Sequence, residues 1–274
     1  MFPISFQSLR RRMFDRLVLR PSREPIDHGS LERVVLHWGA DKHLLEYFVQ
    51  ANHEDDAALD LLVLKFPGTA GRAERTTPFP AQMFPDSPSE TWTWNPPGYG
   101  GSQGRASLQR MKDASLEFFR HAMDHARVSD STRIWIVGNS LGCVTALHVA
   151  TEVTNCDRAG ILLRNPPPLT DVVKHVARRY PLGRLIHPVA ESLIDEMNAT
   201  LSASRVELPA VFLQSERDEL VLPAMQQKVF DAYAGPKQLV LLEGLSHGGV
   251  ATEYHEPVIR ESVQWLWDQT RGDQ

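Results

Sequence analysis

Apolar runs of five to eight residues alternate along the chain with longer stretches in which apolar side chains return every three or four positions. The short runs are HLLEYFV (43–49), LDLLVLKF (59–66), ETWTW (90–94), RIWIVG (133–138), AGILLR (159–164), PAVFLQ (209–214) and KQLVLLE (237–243), and they predict strands. Several are apolar almost throughout, the pattern of strands buried on both faces of a sheet. Residues 105–127 place Leu108, Met111, Ser115, Phe119, Ala122 and Ala126 on one helical face, and 140–153 and 223–234 read as two further helices. Strand and helix in alternation predict an α/β chain, with a mostly parallel central sheet carrying helices on both faces. One domain over 1–274 is expected.

Two segments break this rhythm. Residues 71–89 are rich in Pro, Ser and Thr and are expected to form a long loop or one short helix. Residues 165–208 open on NPPPLTD, which stops a strand abruptly, and run through helix-like patterns to the strand at Pro209. That length is too great for a plain loop, so a small helical cap over the functional site is expected. At the start, MFPISFQSLRRRMFDRLVLR aligns Phe6, Leu9, Met13 and Leu17 on one helical face and keeps Arg10, Arg11, Arg12 and Arg16 off it. Such a helix either attaches to a membrane surface or docks its apolar side on the core. Core docking is the expected outcome.

Composition narrows the classes. A formal charge of −5 argues against a nucleic-acid partner, which favours a basic surface. Cys143 and Cys156 are the only cysteines, too few for a disulfide framework or a structural zinc site, so a reducing, cytoplasmic setting is expected. No run approaches the roughly 20 apolar residues of a membrane span. The N-terminus lacks the basic-then-apolar order of a signal peptide.

The stretch RIWIVGNSLGCVTALHVA (133–150) carries the most chemistry. A strand ends at Val137, Gly-Asn-Ser-Leu-Gly follows, and an apolar helix begins at once. A Gly-x-Ser-x-Gly match alone is weak, and the strand-to-helix context gives it weight. A turn this tight forces Ser140 into a strained conformation and needs Gly138 and Gly142, where a Cβ would collide with neighbouring backbone. It lifts the Ser140 Oγ above the sheet at a helix N-terminus, where partial positive charge favours an oxyanion. A serine that merely caps the helix has no need of the paired glycines. A phosphate loop wants a closing Lys-Ser or Lys-Thr, which is absent here.

GNSLG after an apolar strand resembles the nucleophile elbow of the α/β-hydrolase superfamily, in particular its capped esterases, lipases and thioesterases. The resemblance runs from about Leu44 to the C-terminal helix, and it implies the chain order Ser, acid, His. His247, in LEGLSHGG, follows the strand KQLVLLE in a Gly-flanked loop and is the expected base. His255, in YHEP, is expected at the surface. The acid is expected after the strand ending near Gln214. Asp218 in SERDELVLP resembles the family's Asp-x-x-Val-Pro pattern with one extra residue before the proline. Glu216 and Glu219 are close enough to compete, whereas Asp195 and Asp231 read as surface charges. The role of Asp218 is to hold one imidazole nitrogen so that the other faces Ser140.

Acyl transfer also needs donors for the developing oxyanion. One is the Leu141 N–H, directly after the nucleophile. The other is expected from KFPGTAG (65–71), where relatives read His-Gly-x and this chain has Pro67; Thr69 is the chosen donor and Ala70 the alternative. NPPGYGGSQG (95–104) is similar to the loop that follows the fourth strand in this family. Trp92, Trp94 and Tyr99 either line an acyl pocket or fill core, and Cys143 is read as buried packing. The resemblance implies a serine hydrolase that cleaves a small-molecule ester or thioester through an acyl-enzyme on Ser140, without metal or organic cofactor. The alternatives are an acyltransferase or peptidase with the same triad, and a non-catalytic binding protein on the same fold.

Overall fold

A computed structural model describes residues 6–53, 58–153 and 156–270. It is built on eight strands: β1 (Glu32–Trp38), β2 (His43–Ala51), β3 (Leu61–Phe66), β4 (Ser89–Trp94), β5 (Arg133–Asn139), β6 (Ala159–Arg164), β7 (Ala210–Ser215) and β8 (Lys237–Leu242). They lie in the order β1-β2-β4-β3-β5-β6-β7-β8. Only β2 runs against its neighbours; every other pair is parallel. The seven expected strands all form, each within two residues of its expected limits. The addition is β1, an edge strand that alternates exposed and buried positions and buries Leu36 and Trp38.

Period-two alternation gives the sheet two apolar faces. Leu62, Leu64, Phe66, Ile134 and Ile136 face a layer made by α2 (Leu108–Met123), α3 (Leu141–Ala150) and α7 (Pro223–Ala232). Leu61, Val63, Trp135 and Val137 face the opposite way, onto α8 (Glu256–Gln269). The crossover from β3 to β4 lies on this second face. Instead of one helix it makes two short 3-10 turns, Ala73–Arg75 and Ala81–Met83, with Phe84 stacked on Trp267 of α8 at 4.1 Å.

Residues 165–208 fold into α4 (Leu169–Ala177), a 3-10 turn (Gly183–Ile186), α5 (His187–Ala190), a second 3-10 turn (Asp195–Met197) and α6 (Ala199–Ala203). The end of this segment joins the main helical layer, since α6 packs on α3 and α7. Its beginning packs instead against α1 (Phe6–Val18) through α4 and α5.

Helix α1 corrects the expected docking. Phe14, Val18 and the following Leu19 are buried, while Phe6, Leu9, Met13 and Leu17 are exposed. The Asp15 carboxylate accepts the Leu108 N–H at 3.0 Å, which ties the Phe14 side of the helix to α2 and turns the longer apolar stripe outward. Residues 1–5 lie outside the described residues. Among the described residues no helix is long and apolar enough to cross a membrane.

Phe118 of α2 is fully buried and meets the rings of Tyr47, Phe66 and Trp94 at 5.3, 6.1 and 6.0 Å. Phe118→Ala should therefore lower the unfolding free energy by about 3–5 kcal/mol in urea titrations. A loss under about 1 kcal/mol would place this cluster outside the cooperative core.

Candidate active site

The tight turn between β5 and α3 holds Ser140 at φ 51° and ψ −121°. Few L-residues adopt this conformation, and it persists where surroundings over-determine it. A β-carbon on Gly138 would stand 2.5 Å from the Cys143 Cα, and one on Gly142 would run into the Phe66 carbonyl. The Ser140 N–H donates to the Arg164 carbonyl at 2.8 Å, which pins the turn to the end of β6. The side chain thus stands at the carboxyl end of the sheet, where α/β chains place ligands.

The loops after β7 and β8 bring two further groups to it. His247 Nε2 lies 3.0 Å from Ser140 Oγ, and His247 Nδ1 lies 2.7 Å from Asp218 Oδ2. Asp218 is buried, and it accepts the N–H groups of Leu220 and Val221 at 2.9 and 2.8 Å on Oδ1. Gln226 Nε2 donates to Oδ2 at 3.1 Å. A carboxylate only accepts, so Nδ1 carries the imidazole proton and Nε2 presents its lone pair to Ser140. The rivals stay apart from this line. Glu216 is exposed and accepts the Gly244 N–H, Glu219 is exposed, and so are Asp195 and Asp231. His255 corrects the surface expectation: it is buried at the start of α8, with Nε2 2.9 Å from the Glu243 carbonyl and the Thr252 N–H donating to Nδ1.

The 67–71 loop runs beside Ser140, for a β-carbon on Gly68 would lie 3.4 Å from the Ser140 Cβ. Thr69 N–H donates to no backbone carbonyl among the described residues, and Leu141, at the first helical position, has no intrahelical acceptor. The Tyr99 hydroxyl donates to the Thr69 carbonyl at 2.9 Å and accepts the Arg20 N–H at 3.1 Å, so Tyr99 braces this loop and does not line a pocket. Trp92 and Trp94 fill core. Glu46 holds the 95–104 loop by accepting from Asn95 Nδ2 and the Gly101 N–H, both at 2.7 Å, and Asn95 Oδ1 accepts the Ala73 N–H at 2.9 Å. Cys143 is buried, and burial pushes its thiol pKa up.

Three supports escape a reading of residue order. Asn165, at φ 53°, accepts the Ser215 N–H at 2.9 Å and donates to the His247 carbonyl at 3.3 Å, joining the ends of β6 and β7 to the histidine loop. Arg164 donates to the Gly249 carbonyl in the same loop. Gln226 steadies Asp218 from α7. The only trace of them in the sequence is Arg-Asn directly before the Pro-Pro-Pro that ends β6.

Two cavities flank the serine. One, of about 300 Å³, is lined by His247 with Arg179, Glu219, Leu220, Ser246 and Gly248. The larger, of about 1040 Å³, has neither Ser140 nor His247 in its lining and borders the elbow at Gly68, Gly138 and Asn139. Among the described residues no three His, Cys, Asp or Glu side chains gather as a metal site.

No protein-family model matches the chain. It is 27% identical over 150 residues to an uncharacterized protein of Mycobacterium tuberculosis (strain H37Rv), covering 55% of this chain and 50% of that one. It is 25% identical over 222 residues to the protein bem46 of Schizosaccharomyces pombe, covering 78% and 65% respectively. The chain thus spans about half the length of the mycobacterial relative it matches. Among solved structures, a Pyrococcus furiosus esterase aligns with TM-score 0.65 at 15% identity, covering 92% of this chain and 96% of that one. Est1E from Butyrivibrio proteoclasticus, solved with ferulic acid bound, aligns with TM-score 0.63 at 15% identity, covering 86% and 98%. With this strand order and these neighbours, the chain has the α/β-hydrolase fold.

Proposed function

We propose that the protein is a serine hydrolase that cleaves a carboxylic ester or thioester through an acyl-enzyme on Ser140. The observation that carries this reading is the hydrogen-bonded line from Asp218 Oδ2 to His247 Nδ1 at 2.7 Å and from His247 Nε2 to Ser140 Oγ at 3.0 Å. Nucleophile, base and orienting acid within hydrogen-bond reach are what acyl transfer by a serine requires. That solved neighbours of the same fold are esterases is in keeping with it.

In the first half-reaction, Oγ attacks the substrate carbonyl as its proton passes to His247 Nε2. The oxyanion is held by the N–H groups of Leu141 and Thr69. His247 then gives the proton to the leaving alcohol or thiol, and the Ser140 ester remains. In the second half-reaction, water loses a proton to the same nitrogen, attacks the ester, and the acid departs as Oγ recovers its proton. Asp218 stays ionised throughout and stabilises the imidazolium. None of these steps calls for a metal or an organic cofactor.

On p-nitrophenyl esters, Ser140→Ala and His247→Ala should each lower kcat on the order of a millionfold, and Asp218→Ala on the order of ten-thousandfold. A fluorophosphonate probe should label Ser140 stoichiometrically. Undiminished turnover in Ser140→Ala rejects the scheme, and an unlabelled, inactive wild type points to a binding protein on this fold. Tyr99 acts through the loop it braces. Tyr99→Phe should lower kcat about tenfold or more with KM little changed, because the lost hydrogen bond loosens a donor used in the transition state. An effect on KM alone would remove Tyr99 from this role.

A further inference from the structure

The crossover from β3 to β4 leaves part of the second sheet face without a helix, and the 1040 Å³ cavity occupies that gap. Its floor is the register-aligned end of the sheet, where Lys65 pairs with Val137 and Val137 with Leu162, continued by Leu213 and Leu242. One wall is the pair of 3-10 turns. The other is the segment from Val250 to the start of α8.

The lining carries Lys65, Arg72, Arg75, Arg164 and Arg260 against Glu253 and Glu256. Two of these cations are already matched, since Arg72 pairs with Glu74 and Arg260 with Glu256. Lys65, Arg75 and Arg164 have no carboxylate within ion-pair distance among the described residues. The Lys65 ammonium donates only to the carbonyl and hydroxyl of Thr77, at 2.7 and 3.3 Å, and burial pushes its pKa down to about 8. Arg164 spends one nitrogen on Gly249, and its Nε is buried without a partner. Lys65 and Arg164 are half-buried without an ion-pair partner, which is costly, Arg75 stands exposed at the rim beside them, and an anion entering the cavity would offset that cost.

We propose that this cavity is an anion-binding subsite in which Lys65, Arg75 and Arg164 hold a carboxylate or phosphate at the far end of the ester or thioester attacked by Ser140. It rests on the reading of Ser140 as nucleophile. Gly68 and Asn139 line the cavity and adjoin Ser140, so a substrate with its carbonyl at the elbow would extend its charged end into the cavity. The apolar floor takes the intervening carbon chain.

Two substrate pairs test it and separate the sources of the charge. p-Nitrophenyl hemisuccinate against p-nitrophenyl butyrate puts the anion on the acyl side. Acetyl-coenzyme A against S-acetyl-N-acetylcysteamine puts it on the thiol side. In one pair the charged member should show a kcat/KM about tenfold higher, and Lys65→Met and the exposed-site variant Arg75→Ala should each remove most of that preference. No charged preference in either pair, or a preference unmoved by both variants, overturns the subsite. Should no ester be turned over, the Ser140 reading fails on its own, and calorimetry with inorganic pyrophosphate still decides the cavity. Binding by the wild type weakened about tenfold or more in the double variant supports the subsite, and no binding at millimolar pyrophosphate removes it.

A second surface stands on separate observations. α1 leaves Phe6 at 74% exposure, with Leu9, Met13 and Leu17 also exposed, and Arg10, Arg11, Arg12 and Arg16 flank that stripe. The turn after α4, in the segment α1 packs against, exposes Tyr180, Leu182 at 79% and Leu185 at 72%, beside Arg178, Arg179 and Arg184. Apolar side chains this exposed, set among arginines on a chain of net charge −5, complement an anionic interface with an apolar interior. We infer that α1 and this turn seat on an anionic lipid bilayer. The protein should float with phosphatidylcholine vesicles containing phosphatidylglycerol and not with phosphatidylcholine alone. The pair Leu9→Ser and Met13→Ser should abolish flotation. Failure to float with either vesicle, or flotation unchanged in the variant, overturns the inference, and a dimer by light scattering that the same pair dissociates assigns the face to a second copy instead.

Discussion

Everything at this site depends on the backbone of one residue. At φ 51° and ψ −121°, Ser140 occupies a conformation that costs on the order of 1–3 kcal/mol, and local sequence alone would not keep it there. Two long-range contacts and one local one do. The Ser140 N–H is bound by the Arg164 carbonyl, Gly142 lies against the Phe66 and Pro67 backbone, and within the turn Gly138 lies against Cys143. Each belongs to β3, β5, β6 or the helix that follows, so the strain is carried by the parallel centre of the sheet. The adjacent α3 is buried along its whole length, which gives the turn a rigid support on its far side.

The strain matters because the other two groups come from much more distant sequence. Asp218 and His247 sit on loops after β7 and β8, and each loop is tied by its own hydrogen bonds. Asp218 spends one oxygen on Leu220 and Val221 and is steadied by Gln226. The histidine loop is held to the ends of β6 and β7 by Asn165 and Arg164. A serine fixed by backbone geometry and a histidine loop fixed by side-chain donors are thereby held with Ser140 Oγ and His247 Nε2 3.0 Å apart. In the proposed chemistry a general base must stand within that hydrogen-bond reach of the proton it takes.

Most of this architecture was legible in residue order, for a physical reason. Strands buried on both faces must be apolar throughout, so β3, β5, β6 and β7 stand out, and the elbow glycines are demanded by backbone clashes that no other residue avoids. Order along the fold then pointed to Asp218 and His247. What escaped is governed by tertiary contact. β1 is a half-exposed edge strand with charged residues at its start, although Val34, Leu36 and Trp38 keep strand period. His255 looks like a surface histidine beside a proline, yet its burial is set by the Glu243 carbonyl, twelve residues earlier. In α1 sequence pattern favours burial of the longer apolar stripe, and the core instead takes Phe14 and Val18 because Asp15 fixes the helix by its other side.

The stretch 71–89 shows how an irregularity of sequence becomes a feature of shape. Proline-rich composition prevents a full helix there, and two 3-10 turns cover less of the sheet than one helix of the same chain length would. Had a regular helix packed across β3 and β5, Lys65 would face apolar side chains, and a buried, unmatched ammonium in that position would be hard to sustain. The open crossover and the cationic residue therefore make sense only together: the missing helix provides the volume, and Lys65, Arg75 and Arg164 give that volume a preference for negative charge. Because the same crossover begins with the loop that carries Thr69, the proposed oxyanion donor and two of the three proposed anion-binding residues, Lys65 and Arg75, are neighbours on one continuous segment, braced from outside by Tyr99 and Asn95.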